Sequence, residues 1–570
     1  MPSKSESPSG ASTELAALLA EEWETHLRED PLFATLAGDR RYDDRLPSAS
    51  EGDYERRASQ LADFVRRAEA VDASALSHDD RLNRDIFLRL KRNALAEIGF
   101  HSYRMPMSRL GGFHTEFAEL PNFMRFDTAQ DYERYLARLE AFRGWVDQHI
   151  ELMRAAAAQG YTQPRVCLEG TEGTMRSLLV DNAEASLFFG PFQKFPEPLR
   201  GAEGTRLAER GRAAIQGSVL PAFRTLLEFF EREYLPACRT TIAASALPNG
   251  AAYYQHRVQA MTTLAVSPEE VHRIGQEEVA RIRAEMDHVI RKTGFEGDLA
   301  AFLQFLRTDP RFYASSADQL MREAAYILKR MDGELPRLFR RLPRTPYGIL
   351  PVPDHMAPHT TTAYYWAPLG DGTRAGFYYV NTYDLPSRPL YEMEALSLHE
   401  AVPGHHLQIA LQIELENIPN FRRFEDFTAF TEGWGLYAER LGLECGFYQD
   451  PYSDFGRLGY EIWRACRLVV DTGMHALGWT RQQAIDFMLA NTPSTPLNIR
   501  NEIDRYIGSP AQALAYKMGE LKIRELRRRA QERLGGRFDV RVFHEVVLRQ
   551  GSIPLDVLEA EVEAWLKEQR

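Results

Sequence analysis

The sequence predicts a mainly α protein, a large helical molecule with a deep cleft and a small β hairpin or sheet next to the helix that carries its chemistry. Three observations lead there. Apolar residues recur at helical spacing along most of the 570 residues. Strand-like composition is confined to one short stretch, 363–382. Hydrophobic residues make up 44% and charged residues 26%, as in a folded globular chain, which excludes collagenous and largely disordered readings.

Residues 1–10 are polar, with Pro2 and Pro8 among serines, and read as a flexible tail. They lack the basic-then-apolar order of an export signal, and the apolar stretch 15–23 is interrupted by Glu21 and Glu22. Residues 11–342 read as an N-terminal helical region. Within 132–156, Tyr132, Tyr135, Leu136, Leu139, Phe142, Trp145 and Val146 form one apolar stripe, and 219–234 and 271–290 behave likewise. Such stripes are core-facing. Gly111-Gly112 reads as a turn.

The helical pattern stops at 341–362, where Pro343, Pro346, Pro351, Pro353 and Pro358 forbid a helix and Gly348 permits a tight turn. A boundary is expected here, followed by a metal-site region over 343–570 that packs with the N-terminal region into one cleft-containing unit. Beyond it, 363–366 and 376–382 are rich in tyrosine, phenylalanine and valine around Gly370-Asp371-Gly372, the pattern of a hairpin or edge strand. An edge at 377–381, with Tyr379, offers its backbone to an extended peptide; a capping hairpin accounts equally for the pattern.

Charge and cysteine content narrow the partners. Lys and Arg number 69 against 81 Asp and Glu, a net −12 spread along the chain, so nucleic acid is not expected as a partner. No window holds the roughly 18 to 20 uninterrupted apolar residues of a membrane span. Cys167, Cys238, Cys445 and Cys466 are far apart without metal-type spacing, which predicts reduced thiols and a cytoplasmic location.

The chemistry concentrates in His399-Glu400-Ala401-Val402-Pro403-Gly404-His405-His406. Zinc peptidases place two histidines four apart on one helical face, with a glutamate between them as general base. Here Pro403 breaks that spacing. On a continuous helix His405 would lie about 240° around from His399, and His406 about 10.5 Å along the axis. A bulge at Pro403-Gly404 is therefore expected, returning one of the two later histidines to His399. A third ligand is expected from Glu432, a carboxylate set among apolar residues and costly to bury without a partner. Glu439, seven residues on, either orients a ligand histidine or faces solvent.

His399 through His406 together with Glu432-Gly433-Trp434 resembles the bacterial family called domain of unknown function 885, helical proteins grouped with metallopeptidases, over most of the chain. A looser similarity reaches angiotensin-converting enzyme, thimet oligopeptidase and the thermostable carboxypeptidases. The resemblance implies a Zn2+ cofactor held by His399, His405 and Glu432, with Glu400 as general base. Aligning Gly404-His405 favours His405, leaving His406 to line the cleft; aligning Leu407-Gln408 favours His406 as the ligand. The resemblance also implies a tyrosine that hydrogen-bonds the oxyanion, assigned to Tyr516 with Tyr506 in reserve.

Gln512, Tyr516 and Gly519 share one helical stripe, with Ser509-Pro510 as N-cap and first turn. Arg505 and Lys517 either bind a peptide's terminal carboxylate or are solvated surface charges. His475 is either a transition-state donor or a structural residue. The expected activity is zinc-dependent hydrolysis of short peptides. The alternatives are an amidohydrolase or esterase acting on a small substrate, and a non-catalytic helical metal-binding protein.

Overall fold

The computed structural model describes residues 9–108, 111–354, 357, 360–368, 374–416 and 418–569. It is mainly α, with one sheet of two strands and one of three among the described residues. The chain divides into two compact units: Met1–Gly250 with Pro419–Phe424, and Ala251–Ile418 with Glu425–Arg570. The division falls at Gly250, so the proline-rich stretch 341–362 lies inside the second unit. Its prolines do not end a domain there, because the segment between them supplies an edge strand, where a missing N–H is tolerated.

In the first unit, α1 (Gly10–Glu29) starts where the tail was expected to end, with Ser9 capping Ser12 N–H; residues 1–8 lie outside the described residues. Helix α2 (Ala129–Ala158) begins with a reciprocal Thr128–Asp131 capping box. Its predicted stripe faces inward: Tyr132, Tyr135, Leu136, Leu139 and Phe142 are fully buried, and Phe142 stacks on Phe117 at 3.7 Å. The 219–234 stripe contains α3 (Leu220–Phe229), flanked by wider π-helical turns at Ile215–Val219 and Phe230–Tyr234. Pro221 and Pro236 follow those turns, where the ladder can spare a donor. Gly111-Gly112 pairs with Met107-Ser108 as a two-residue antiparallel ladder, not as a simple turn.

The second unit contains α4 (Pro268–Lys292), then the sheet of β1 (Tyr347–Pro351), β2 (Ala363–Trp366) and β3 (Gly376–Val380). The order is β1-β3-β2, with β1 parallel and β2 antiparallel to β3. Strand β3 is therefore central. The expected edge at 377–381 is not there, since both sides of β3 are hydrogen-bonded. Gly370-Asp371-Gly372 and Pro358 lie outside the described residues.

Five further helices build the site: α5 (Met393–Glu400), α6 (His405–Ile413), α7 (Thr428–Leu441), α8 (Pro451–His475) and, after α9 (Pro496–Gly508), α10 (Ala515–Leu534). Glycines let their backbones touch. A Cβ on Gly433 of α7 would stand 2.6 Å from Gly519 Cα of α10, and one on Gly275 of α4 would stand 2.7 Å from Leu468 Cβ of α8. No described helix is long and apolar enough to cross a membrane. The four cysteines are free, and all but Cys445 are buried.

Candidate metal centre

The site begins with a helix that stops. Helix α5 ends at Glu400, and Ala401 N–H still bonds Ser397 C=O, but Gly404 N–H folds back to Leu398 C=O at 3.0 Å. A new helix, α6, starts at His405. The expected bulge is thus a complete break, because Pro403 has no N–H to continue the ladder. The Val402-Pro403 peptide is cis. Gly404 is required here, since a Cβ would lie 1.9 Å from His399 O. Trp434 of α7 closes the loop by donating its indole N–H to Pro403 C=O at 2.9 Å.

This break brings His405 beside His399, with ring centroids 4.6 Å apart and planes at 85°. Glu432 comes from α7. Its Oε2 lies 3.4 Å from His399 Nε2 and 3.5 Å from His405 Nε2, and ligand atoms of all three residues fall within 4.8 Å of one another. His399 Nδ1 donates to Glu439 Oε1 at 2.8 Å, which turns its Nε2 toward Glu432. Glu439 is buried and orients the His399 imidazole, so it does not face solvent. Tetrahedral ligands at zinc-like bond lengths are separated by about 3.3 Å, close to the two observed spacings.

Electrostatics agree with a place for a cation. Burial opposes charge on His399, yet the neighbouring Glu432 and Glu439 carboxylates outweigh it and raise the imidazolium to about 9. Burial also opposes charge on Glu432, but the two imidazoles hold its carboxylate well below the usual range. Glu432 Oε2 is buried without a conventional hydrogen-bond partner. Two imidazoles and a carboxylate, His399 buried and the other two half-buried, form a donor set able to hold a metal ion, and a divalent ion with an open fourth position fits it.

Glu400 is partly exposed at the end of α5 and acts on His399 through its charge. Tyr516 is near enough to Glu432 for that carboxylate, after burial, to raise its phenol. The position follows from packing: Gly519, one turn further along α10, touches Gly433, the neighbour of Glu432. The N-terminal turn differs from expectation. Ala511, not a Ser509-Pro510 cap, turns the chain with a left-handed φ of 67°, its N–H held by Asp471, and α10 starts at Ala515.

Other expected residues lie elsewhere. Tyr506 is fully buried, and its hydroxyl is engaged by Trp463, Arg467 and Glu502, so it has no free donor. His406 is buried on the sheet side, where Tyr365 donates to its Nδ1 at 2.8 Å, and burial pushes it down to about 4. It packs the helix break against the sheet and does not line an open cleft. Lys517 is 0% exposed and ion-paired with Glu278, Glu461 and Glu520. Neither expectation for it holds, since it reaches no solvent and its charge is consumed by three carboxylates. Tyr379 stacks on Tyr364 from the central strand. His475 is buried and donates from Nε2 to Tyr506 C=O, a structural role. Arg505 is bonded to Glu502 and Gln512.

Sequence reasoning missed Gly435, whose lack of a side chain makes room for His399: a Cβ there would lie 2.6 Å from Cε1. The signal was visible in Glu432-Gly433-Trp434-Gly435, two glycines costly in a helix interior. It also missed Arg464, 3.8 Å from Glu439, and Arg467, stacked 4.6 Å over Tyr516.

A protein of Colwellia psychrerythraea described as a "putative lipoprotein" has a crystal structure that matches with 28% identity and a TM-score of 0.93, over 98% of this chain and 100% of its own. A second, from Shewanella oneidensis, described as a "putative lipoprotein of unknown function", matches with 16% identity and a TM-score of 0.75, over 96% and 99%, a likeness of fold alone. No curated protein matches. Residues 31–562 match the family described as bacterial protein of unknown function, DUF885, and the chain belongs to that family.

Proposed function

We propose that this protein is a zinc-dependent hydrolase that cleaves peptide bonds of short peptides. The observation that carries the reading is the convergence of His399 Nε2, His405 Nε2 and Glu432 Oε2, the first residue buried and the other two half-buried, beside a partly exposed Glu400. A zinc ion bound there supplies Lewis acidity toward a carbonyl and a water that ionises near pH ~7. The chain's own residues supply the rest. Glu400 takes the proton of the attacking water and hands it to the departing amine. Tyr516 donates its phenol to the oxygen that becomes negative in the transition state. Glu439 fixes the tautomer of His399.

The test is a peptide-library digest followed by mass spectrometry, with metal content measured in parallel. The wild-type protein is expected to bind one zinc per chain and to cut peptides. Glu400→Gln is expected to keep the zinc and lose at least about a hundredfold in rate. Metal-loaded protein that leaves every peptide intact contradicts the reading, and hydrolysis of small esters or amides instead would move it to that substrate class. For location, the free cysteines support the cytoplasm, whereas the relatives described as lipoproteins support the cell envelope. Fractionation of the native host separates the two.

A further inference from the structure

The two imidazoles of the candidate centre are held differently. His399 gives its Nδ1–H to Glu439 at 2.8 Å. His405 faces Glu432 through Nε2 at 3.5 Å, but its Nδ1 is shut off from solvent and has no hydrogen-bond partner among the described residues. When Nε2 offers its lone pair to an ion, the proton of the neutral ring sits on Nδ1, so the orphaned atom is a donor. A buried donor left without an acceptor is costly.

The complementary orphan lies on the same helix. Gln408 of α6 is 2% exposed, and its Oε1 is likewise buried without a partner. Which end of this amide is the oxygen follows from its neighbours. Ser552 N–H, which only donates, meets the side chain of Gln412 at 3.0 Å, so the atom it meets is the Gln412 oxygen. The Gln412 amino group is then the end that meets Glu425 C=O at 3.1 Å. Gln408 approaches the same Gln412 oxygen at 3.0 Å and must present its own amino group there, which leaves its oxygen over. Two backbone groups of fixed polarity thus orient both amides.

Residues three apart on a helix carry Cβ atoms about 5–6 Å from one another, and His405 and Gln408 stand in that relation in the first turn of α6. Asp426 is the rival acceptor, being near enough to His405 to feel its charge. Its Oδ1, however, already accepts the Thr431 hydroxyl.

We propose that Gln408 is the positioning residue for His405: a small rotation of the imidazole, as Nε2 engages the ion, brings Nδ1–H onto Gln408 Oε1. The proposal rests on the metal-binding part of the reading above. The two rings then have unlike supports. A carboxylate behind His399 makes that ligand more basic, whereas a neutral amide behind His405 fixes its ring without adding negative charge. Glu432 and Glu439 already bring two carboxylates toward a divalent cation, and a third would oppose the Lewis acidity on which the chemistry depends.

The test uses full-length protein loaded with cobalt(II), whose unpaired electrons shift the N–H protons of ligand imidazoles far outside the ordinary proton spectrum. Wild type is expected to show two such slowly exchanging signals, one for each ring held by an acceptor. Gln408→Met keeps the volume but accepts nothing, while Ser552 N–H still satisfies Gln412. It is expected to exchange one of the two protons faster with solvent and to bind zinc about 10- to 100-fold more weakly in chelator competition, with an unchanged circular dichroism spectrum. Asp426→Asn is expected to keep both signals and wild-type affinity. A single slowly exchanging signal in wild type, unaltered exchange and affinity in Gln408→Met, or losses confined to Asp426→Asn each overturn the role of Gln408 and leave the metal centre standing. Wild-type protein that binds neither ion overturns both.

Discussion

Gly435 faces the His399 imidazole so closely that a Cβ built on it would stand 2.6 Å from Cε1 and 2.8 Å from Nε2. It lies one helical turn after Glu432, so one face of α7 presents the carboxylate and seats the ring it meets. Gly435→Ala is expected to displace His399 and weaken zinc affinity at least about tenfold, although alanine favours the helix by up to about 1 kcal/mol. Competition against a chromogenic chelator measures this. Unchanged affinity would mean that His399 is not a ligand.

Glu439 is 3% exposed and holds His399 Nδ1. Glu439→Gln keeps the shape but weakens a charge-assisted hydrogen bond, and zinc affinity is expected to fall about 10- to 100-fold. The same chelator competition reads it, with circular dichroism checking that the fold persists. An affinity equal to wild type would contradict the orienting role.

The metal-free centre keeps a proton on His399 up to about pH 9, where Glu432 and Glu439 overcome the burial penalty. Zinc must displace that proton. Binding at pH 7.5 is therefore expected to release about one proton per ion, and apparent affinity is expected to rise with pH until about 9. Calorimetry in buffers of differing ionisation enthalpy counts the protons; a count of zero would contradict the account. For stability of the metal-free protein the sign is the same. The folded pKa lies above the unfolded one, so His399's contribution is complete below about 6.5 and is lost as pH rises toward 9.

Lys517 is enclosed by Glu278, Glu461 and Glu520 on α4, α8 and α10. Lys517→Met leaves buried carboxylates without their cation and is expected to cost about 3–5 kcal/mol in urea unfolding. Glu278 provides a pH signature. Burial works against its charge, but Arg281 and Lys517 lower it to about 2, so its contribution is complete above about 4.3 and fades as pH falls toward 2. The variant should lose part of that acid dependence. A change below 1 kcal/mol would indicate that the ammonium is not needed where it lies.

Helical stripes were readable because periodicity and burial are the same fact, as Tyr132 to Phe142 on α2 illustrate. The residues that converge in the candidate site drew notice in the sequence because Glu432 stands among apolar neighbours and Pro403 interrupts a histidine-bearing helix. The geometry of that interruption was not. A sequence does not reveal that α6 restarts at His405, and hence that His406 turns to Tyr365 and the sheet. Charges such as Lys517 look exposed in one dimension, because the carboxylates that bury it come from helices more than fifty residues away in sequence or on its own helix. Tyr379 looked like an edge residue because strand β1, its second neighbour, is written in prolines at its borders.

The most direct measurement is X-ray diffraction from zinc-soaked crystals above and below the zinc absorption edge. The account predicts one anomalous peak per chain, within bonding distance of His399 Nε2, His405 Nε2 and Glu432 Oε2. A peak ligated by His406, or no peak at this centre under saturating zinc, would contradict it.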